Sequence, residues 1–90
     1  MKISEIKTTL FTRTTITDYG IKFESFNREL AEADNAPENE LNRYMLTVHV
    51  LKSGSININV GFHNQITKKQ FDEIIRVRDI LMEELCQEAD

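Results

Sequence analysis

The fold of this 90-residue chain is decided by residues 44–62, which read YMLTVHVLKSGSININVGF. Apolar and polar residues alternate in both halves of this stretch, and a period of two is typical of β-strands with one buried face. If both apolar sets lie on one face, the strands form an antiparallel hairpin with a defined register. The facing pairs are then Val50 with Ile56, Val48 with Ile58, Leu46 with Val60, and Tyr44 with Phe62. This register leaves residues 52–54 as the loop, with Gly54 at the position that requires a left-handed conformation.

A helix is predicted shortly after this hairpin. Thr67 and Gln70 have the spacing of a capping box, so the helix begins at Lys68. From there to about Gln87, apolar residues recur with the period of a helix and occupy an arc of roughly 180°. The arc contains Phe71, Ile74, Ile75, Val77, Leu81, Met82, Leu85 and Cys86. The stretch is therefore an amphipathic helix with an unusually wide apolar face.

The wide apolar face divides into two halves, because Arg78 falls at its centre, while Ile80 falls on the polar side. One half would cover the chain's own sheet and contains Ile74, Val77, Leu81 and Leu85. The other half would contact either the amino-terminal segment or a second subunit. Arg78 would then meet a carboxylate of that subunit or lie along the surface with its charge in water. We expect a homodimer whose interface contains Phe71, Ile75, Arg78 and Met82.

The first third of the chain predicts a second hairpin. Residues 8–17 are rich in threonine and residues 21–26 alternate between apolar and polar, with a turn at 19–20 between them. Pairing Asp18 with Ile21 gives an apolar face and leaves two phenylalanines on the other face. The apolar face carries Leu10, Ile16, Ile21 and Phe23, and the other carries Phe11 and Phe26. Alternatively, residues 3–13 form a short helix, since Ile3, Ile6 and Leu10 also have helical spacing; we favour the strand.

The segment between the two hairpins is acidic. Residues 28–34 predict a helical turn, and residues 31–42 are turn-rich, which predicts a mobile loop. Such a run of carboxylates could dock on a basic partner, but a solubilising loop is the more ordinary role, and we favour it.

Together these elements predict an α+β fold of type ββββα. An antiparallel four-stranded sheet made of two hairpins carries one C-terminal amphipathic helix packed on one face. All 90 residues fit a single domain, because typical domains hold about 100–150 residues. The pattern does not give the order of the strands in the sheet.

Composition narrows the classes of function. The net charge of −4 and the pI of about 5.1 disfavour binding to nucleic acid and to anionic membranes. No apolar run approaches the roughly 18 residues that span a bilayer, and the amino terminus lacks the apolar stretch of a secretory signal. One cysteine cannot form an internal disulfide. We therefore expect a cytoplasmic protein without a membrane partner.

Sequence motifs of enzymes are missing, so we expect no catalytic residue and no cofactor. Cys86 lies near the carboxyl end of the helix beside acidic residues, a position that disfavours the reactive thiolate. His49 and His63 lie too far apart on the hairpin to share a metal ion, and we expect no metal site.

A candidate anion site lies at the start of the helix. The free backbone amides of a helix start attract anions, and the side chains around this one are His63, Asn64, Lys68 and Lys69. The alternative, which we favour, is that the two lysines are solvated charges partly balanced by Asp72 and Glu73.

The second face of the central hairpin is a candidate binding surface. It is polar yet uncharged, whereas a face that only needs solubility usually carries lysine and glutamate. The residues that we expect to bind a partner are Thr47, His49, Leu51, Asn57 and Asn59. Exposed strand residues of these types are also common without any binding role.

The sequence thus predicts a small non-enzymatic cytoplasmic interaction module that binds another macromolecule as a homodimer, with a protein as the partner. An inhibitor or adaptor of the kind found among small phage and mobile-element proteins fits this size and composition. The alternative is a nucleic-acid-associated protein that uses Lys68 and Lys69 together with the Asn, Thr and His face of the sheet.

Overall fold

The computed structural model describes Ile6, residues 8–83 and the backbone of residues 84–89. The elements in chain order are β1 (Arg13–Thr17), β2 (Gly20–Phe26), α1 (Arg28–Ala33), a 3₁₀ helix (Glu38–Tyr44), β3 (Met45–Leu51), β4 (Ile56–Val60) and α2 (Lys68–Ala89). The strands form one antiparallel sheet in the order β1-β2-β3-β4, and α2 packs against β3. The predicted ββββα layout is confirmed. No helix in these ranges is long and apolar enough to cross a membrane.

The β3–β4 hairpin has the predicted register at three of its four apolar pairs. Its loop closes as expected, since the Leu51 N–H donates to the Ser55 carbonyl at 2.9 Å and Gly54 has a φ of +94°. The fourth pair, Tyr44 with Phe62, lies beyond the strand ends but keeps the register, because the Gly61 and His63 N–H groups donate to the Met45 and Arg43 carbonyls at 2.8 and 2.7 Å. The burial expected of both side chains is wrong for Phe62, since Tyr44 is buried whereas Phe62 is 93% exposed. β4 ends at Val60, and residues 62–63 form a turn that the Asn64 N–H closes by donating to the Gly61 carbonyl at 3.1 Å. A side chain at Gly61 would overlap the Arg43 carbonyl.

The β1–β2 hairpin forms, but its predicted register is wrong by two residues. Ile16 faces Ile21 and Thr17 faces Gly20, so the turn consists of residues 18–19. Gly20 is part of the strand and pairs with Leu51 of β3. Glycine is required there, because a side chain would overlap the carbonyl of Val50. Since the shift is an even number of residues, the side chains of the paired residues 13–17 and 20–24 keep their predicted faces.

The segment before β1 is neither of the two predicted elements. Residues 9–12 form bends, and the predicted strand is confined to residues 13–17; Ile3 lies outside the described residues. Because this segment leaves the sheet, Phe11 turns inward and stacks on Phe23 with ring centroids 4.8 Å apart. Ile6 is also buried. The segment therefore adds apolar side chains to the core.

The core lies between the sheet and α2. Its helical part is the stripe Ile74, Val77 and Leu81, with 0%, 0% and 2% of their surfaces exposed. The sheet and the amino-terminal segment supply the rest, which consists of Ile6, Phe11, Ile21, Phe23, Leu46, Val48 and Val50. Ile80 also packs against this cluster, so its predicted place on a solvent-facing side is wrong. The side chains of Leu85 and Cys86 lie outside the described residues.

The acidic segment carries more regular structure than a loop. The predicted helical turn is α1, and most of the remaining segment is the 3₁₀ helix, with only residues 34–37 between them. The Tyr44 hydroxyl ties the two pieces together by donating to the Asp34 carboxylate at 2.8 Å. Removal from water raises the pKa of the Tyr44 phenol, and this hydrogen bond raises it further. The mobility of the segment stays a prediction.

Candidate functional site

One flank of α2 is covered by the amino-terminal segment, and we call it the covered flank. The Gln70 side-chain amide donates to the Leu10 carbonyl at 2.9 Å. Further along the same flank, Glu73 and Arg76 line a shallow groove with residues 8–10. Ile80, on the same flank, packs against the hydrophobic core. The amino-terminal segment thus lies on this side of the buried stripe.

The opposite flank of α2, which we call the open flank, carries Phe71, Ile75, Arg78 and Met82. Phe71 is 44% exposed and Met82 37% exposed, whereas Ile75 is half-buried. The flank faces the β3–β4 side of the sheet, since a side chain at Gly54 would lie 3.2 Å from the Met82 sulfur. The amino-terminal segment meets α2 at Gln70, Glu73 and Arg76, on the covered flank. The sequence allows either the amino-terminal segment or a second subunit to cover the open flank, and the described part of the segment lies on the other flank.

The edge strand β4 continues this apolar surface. Ile58 and Val60 point to the helix side of the sheet, and each is 41% exposed. α2 lies over β3 and leaves these side chains in solvent. The open flank and β4 together place Ile58, Val60, Phe71 and Met82 at the surface. Exposed apolar side chains grouped on one side of a protein often mark an interaction site.

Arg78 is half-buried on the open flank, with 37% of its side chain exposed. Its guanidinium lies 3.4 Å from the carboxylate of the adjacent Asp79. The charge of Arg78 therefore reaches water. This agrees with the interpretation in which the side chain lies along the surface with its charge in water. No buried unpaired charge has to be compensated here.

The outer face of the β3–β4 hairpin, which we call the uncharged strip, consists of Met45, Thr47, His49, Leu51, Asn57 and Asn59. The absence of charge ends at β2, because Lys22 faces His49 and Glu24 faces Thr47 across the strands. The sequence of one hairpin did not reveal these neighbours. The strip is therefore a band two strands wide with charged residues along its β2 side.

His49 is held in place within the uncharged strip. Its Nε2 atom lies 3.1 Å from the Thr17 hydroxyl, a contact that reaches diagonally past Gly20. One ring nitrogen is thus engaged inside the protein. Of the predicted partner-binding residues, Asn57 and Asn59 are the most exposed, and Thr47 and Leu51 are half-buried like His49.

A groove of about 410 Å³ lies at one end of the strip. Its walls include Thr47 and Asn59 of the strip together with Asn42, Arg43 and Phe62. The guanidinium of Arg43 lies 3.7 Å from the Glu40 carboxylate and stays 52% exposed. Sequence reasoning missed Asn42, Arg43 and Phe62, because only the 3₁₀ helix and the turn at residues 62–63 bring them to the strip. The groove combines amide and hydroxyl groups with one cation.

The four residues of the candidate anion site do not act as one group. The Asn64 amide donates to the carbonyls of Tyr44, at 2.8 Å, and Ser25, at 3.2 Å, so it serves to brace the fold. His63 stacks on Tyr44 with ring centroids 4.9 Å apart. The side chains of Lys68 and Lys69 are exposed to solvent. Thr67 and Gln70 form the predicted capping box, so the Thr67 hydroxyl already accepts a hydrogen bond from the backbone N–H of Gln70 at this helix start.

Within the described ranges, no three His, Cys, Asp or Glu side chains lie close enough together to hold a metal ion. Cys86, the one candidate nucleophile, has its side chain outside those ranges. The surfaces that stand out are the open flank with β4 and the uncharged strip with its groove.

Comparison with protein-family models, with curated proteins and with solved structures finds no match to this chain. Its function therefore has to be inferred from its own residues.

Proposed function

We propose that this protein is a small non-enzymatic interaction module that acts in the cytoplasm as a homodimer and binds a protein partner. The observation that carries the proposal is the apolar surface formed by the open flank and β4, where Phe71, Met82, Ile58 and Val60 are each at least 37% exposed. A surface of this kind usually marks a protein interface.

The homodimer would use the open flank. Two copies related by a twofold axis bring the same patch together, so Phe71, Ile75 and Met82 of one chain meet their equivalents. Apolar side chains at the centre with a charged residue at the rim are typical of such interfaces, and Arg78 has this rim position because its charge reaches water.

The uncharged strip would then stay free for the partner. Its asparagine, threonine and histidine side chains can donate and accept hydrogen bonds without the desolvation of a charge. The groove beside it adds the exposed guanidinium of Arg43. An amide-rich protein surface would match this set, in keeping with an inhibitor or adaptor.

The strip is tested by placing a charge at its centre. Thr47→Lys should abolish partner capture from a lysate of the native host, because the new ammonium group cannot be buried against the partner. The matched control is Thr15→Lys, which puts the same charge on the same face of the sheet at β1, outside the strip. Captured proteins are identified by mass spectrometry, and both variants are checked for folding by circular dichroism.

Equal capture by Thr47→Lys and by the wild type would contradict a partner site on the strip. Nucleic acid is examined separately by fluorescence anisotropy with labelled DNA and RNA oligonucleotides. Affinity that is measurable at low salt and collapses at moderate salt would replace the protein partner with a nucleic acid, since counterion release governs such binding.

A further inference from the structure

We propose that the homodimer forms by pairing the β4 edges of two chains, antiparallel about a twofold axis at Ile58, into one eight-stranded sheet. This inference rests on the proposed homodimer and names the elements that hold it together. It makes β4 the primary contact and the open flank of α2 its apolar cover.

The backbone of β4 has hydrogen-bonding groups directed away from the sheet. The Leu51 N–H donates to Ser55 and the Gly61 N–H donates to Met45, which identifies the odd-numbered residues of β4 as those bonded to β3. Because bonded and non-bonded pairs alternate along an antiparallel ladder, the N–H and C=O groups of Ile56, Ile58 and Val60 point outward. β4 is the last strand of the sheet in the described part of the chain.

The sequence of β4 complements itself. Residues 56–60 read ININV, so reversing the direction about Ile58 gives nearly the same pattern. In an antiparallel pair centred there, Ile58 faces Ile58 of the second copy, Ile56 faces Val60, and Asn57 faces Asn59. Every apolar side chain then meets an apolar one on the helix side, and every amide meets an amide on the outer side.

The β4 edge also lacks the features that keep edge strands apart. It carries no lysine, no proline and no other charge in residues 56–60. At the other edge, β1 carries Arg13. On the helix side, the exposed Ile58 and Val60 lie beside the open flank of α2, so pairing of the edges brings the two open flanks toward each other. A second copy thus satisfies the free backbone groups and covers the apolar surface together.

The pairing has a consequence for the partner site. The uncharged strips of the two chains would join across the axis into one band four strands wide, β3-β4-β4-β3, with the charges of Lys22 and Glu24 only at its two sides. An extended partner segment crossing this band would contact both copies.

The test uses the position that the register places on the axis. Ile58→Lys should raise the dimer dissociation constant by on the order of 100-fold, because it sets two like charges directly opposite each other. Ile58→Glu should do the same. An equimolar mixture of the two variants should regain a dimer, since lysine then faces glutamate. Sedimentation velocity at micromolar concentration measures all three samples.

The control is Ile16→Lys, which places a lysine on the same face of the sheet at the opposite edge, where Ile16 is 52% exposed. It should leave the dimer intact. A wild-type protein that sediments as a monomer would overturn both this pairing and the proposed homodimer. A dimer that survives Ile58→Lys but dissociates with Ile75→Glu would overturn the edge pairing alone and leave a helix-mediated homodimer. Failure of the mixture to regain a dimer would overturn the register.

Discussion

The two flanks of α2 differ in composition and in surroundings: the covered flank carries Gln70, Glu73, Arg76 and Ile80, and the open flank carries Phe71, Ile75, Arg78 and Met82. On the covered flank, the amino-terminal segment packs over the helix and Gln70 holds it through the Leu10 carbonyl. On the open flank, Phe71 and Met82 remain exposed beside the edge strand β4. The comparison teaches that the apolar arc of a helix does not show by itself which flank a segment distant in sequence will cover.

The largest expected effect is a difference in stability between alanine variants of two neighbouring isoleucines, Ile74 and Ile75. Ile74→Ala removes a fully buried side chain and should lower the free energy of unfolding by about 2–5 kcal/mol. Ile75→Ala on the open flank should cost only about 1 kcal/mol at low protein concentration. Urea denaturation followed by circular dichroism measures both.

The same pair tests the assembly. The cost of Ile75→Ala should grow with protein concentration as the dimer forms, and the cost of Ile74→Ala should include no such additional term. Equal losses for the two variants at every concentration would show that the flanks do not differ as described.

The covered flank can be loosened at Gln70. Gln70→Ala removes both the hydrogen bond to Leu10 and half of the capping box, so we expect a loss of about 1–3 kcal/mol. Thr67→Ala removes only the cap and should cost about 0.5–2 kcal/mol. Hydrogen exchange then distinguishes the two, because only Gln70→Ala should increase exchange in residues 8–12. If Thr67→Ala increases it equally, Gln70 does not hold the segment.

The turn beside the open flank offers a smaller effect. Gly54 has a φ of +94°, so Gly54→Val should cost about 1–2 kcal/mol, because a β-branched residue is strained there. Gly54→Asn is the control and should cost less, since asparagine tolerates positive φ. Thermal melting measures both, and an unchanged melting temperature for the valine variant would contradict the turn.

The smallest effect should distinguish the arginines of the two flanks. Arg76 binds the Glu73 carboxylate three residues earlier, and this hydrogen bond raises the pKa of Arg76. Arg76→Ala should therefore cost about 0.2–0.5 kcal/mol, with a smaller cost at high salt. Among the described side chains, the ion pair of Arg78 is with its sequence neighbour Asp79, so Arg78→Ala should show no salt-dependent loss in the monomer. A larger salt-dependent loss for Arg78 would reverse this assignment.

Local sequence patterns were enough to predict the β3–β4 hairpin and the start of α2. The alternation in residues 46–60 and Gly54 defined the register of β3 and β4, and Thr67 with Gln70 defined the start of α2. The β1–β2 register failed because it depends on Gly20, whose lack of a side chain matters only against Val50 of a strand distant in sequence. The exposure of Phe62 was not predicted for a related reason. The strand ends before the turn at residues 62–63, where the Gly61 backbone lies against that of Arg43.

The candidate site was predictable only in part. The uncharged strip could be read from one hairpin because both of its strands are adjacent in the chain. Its charged border, the groove at Arg43 and the engagement of His49 by Thr17 all depend on elements that meet only after folding. The exposed apolar surface could be anticipated from the width of the helical arc, but its continuation onto β4 could not.

The sequence by itself determined the ββββα layout, the β3–β4 register and the helix start, because these depend on residue periodicity and on hydrogen bonds between near neighbours. Only the tertiary structure decided the strand order, the burial of Phe11, the packing of Ile80 against the core, and which flank of α2 is left open. Those features arise where segments far apart in the chain compete for the same apolar surface. No local pattern records the outcome of that competition, because it depends on the fit of whole elements against one another.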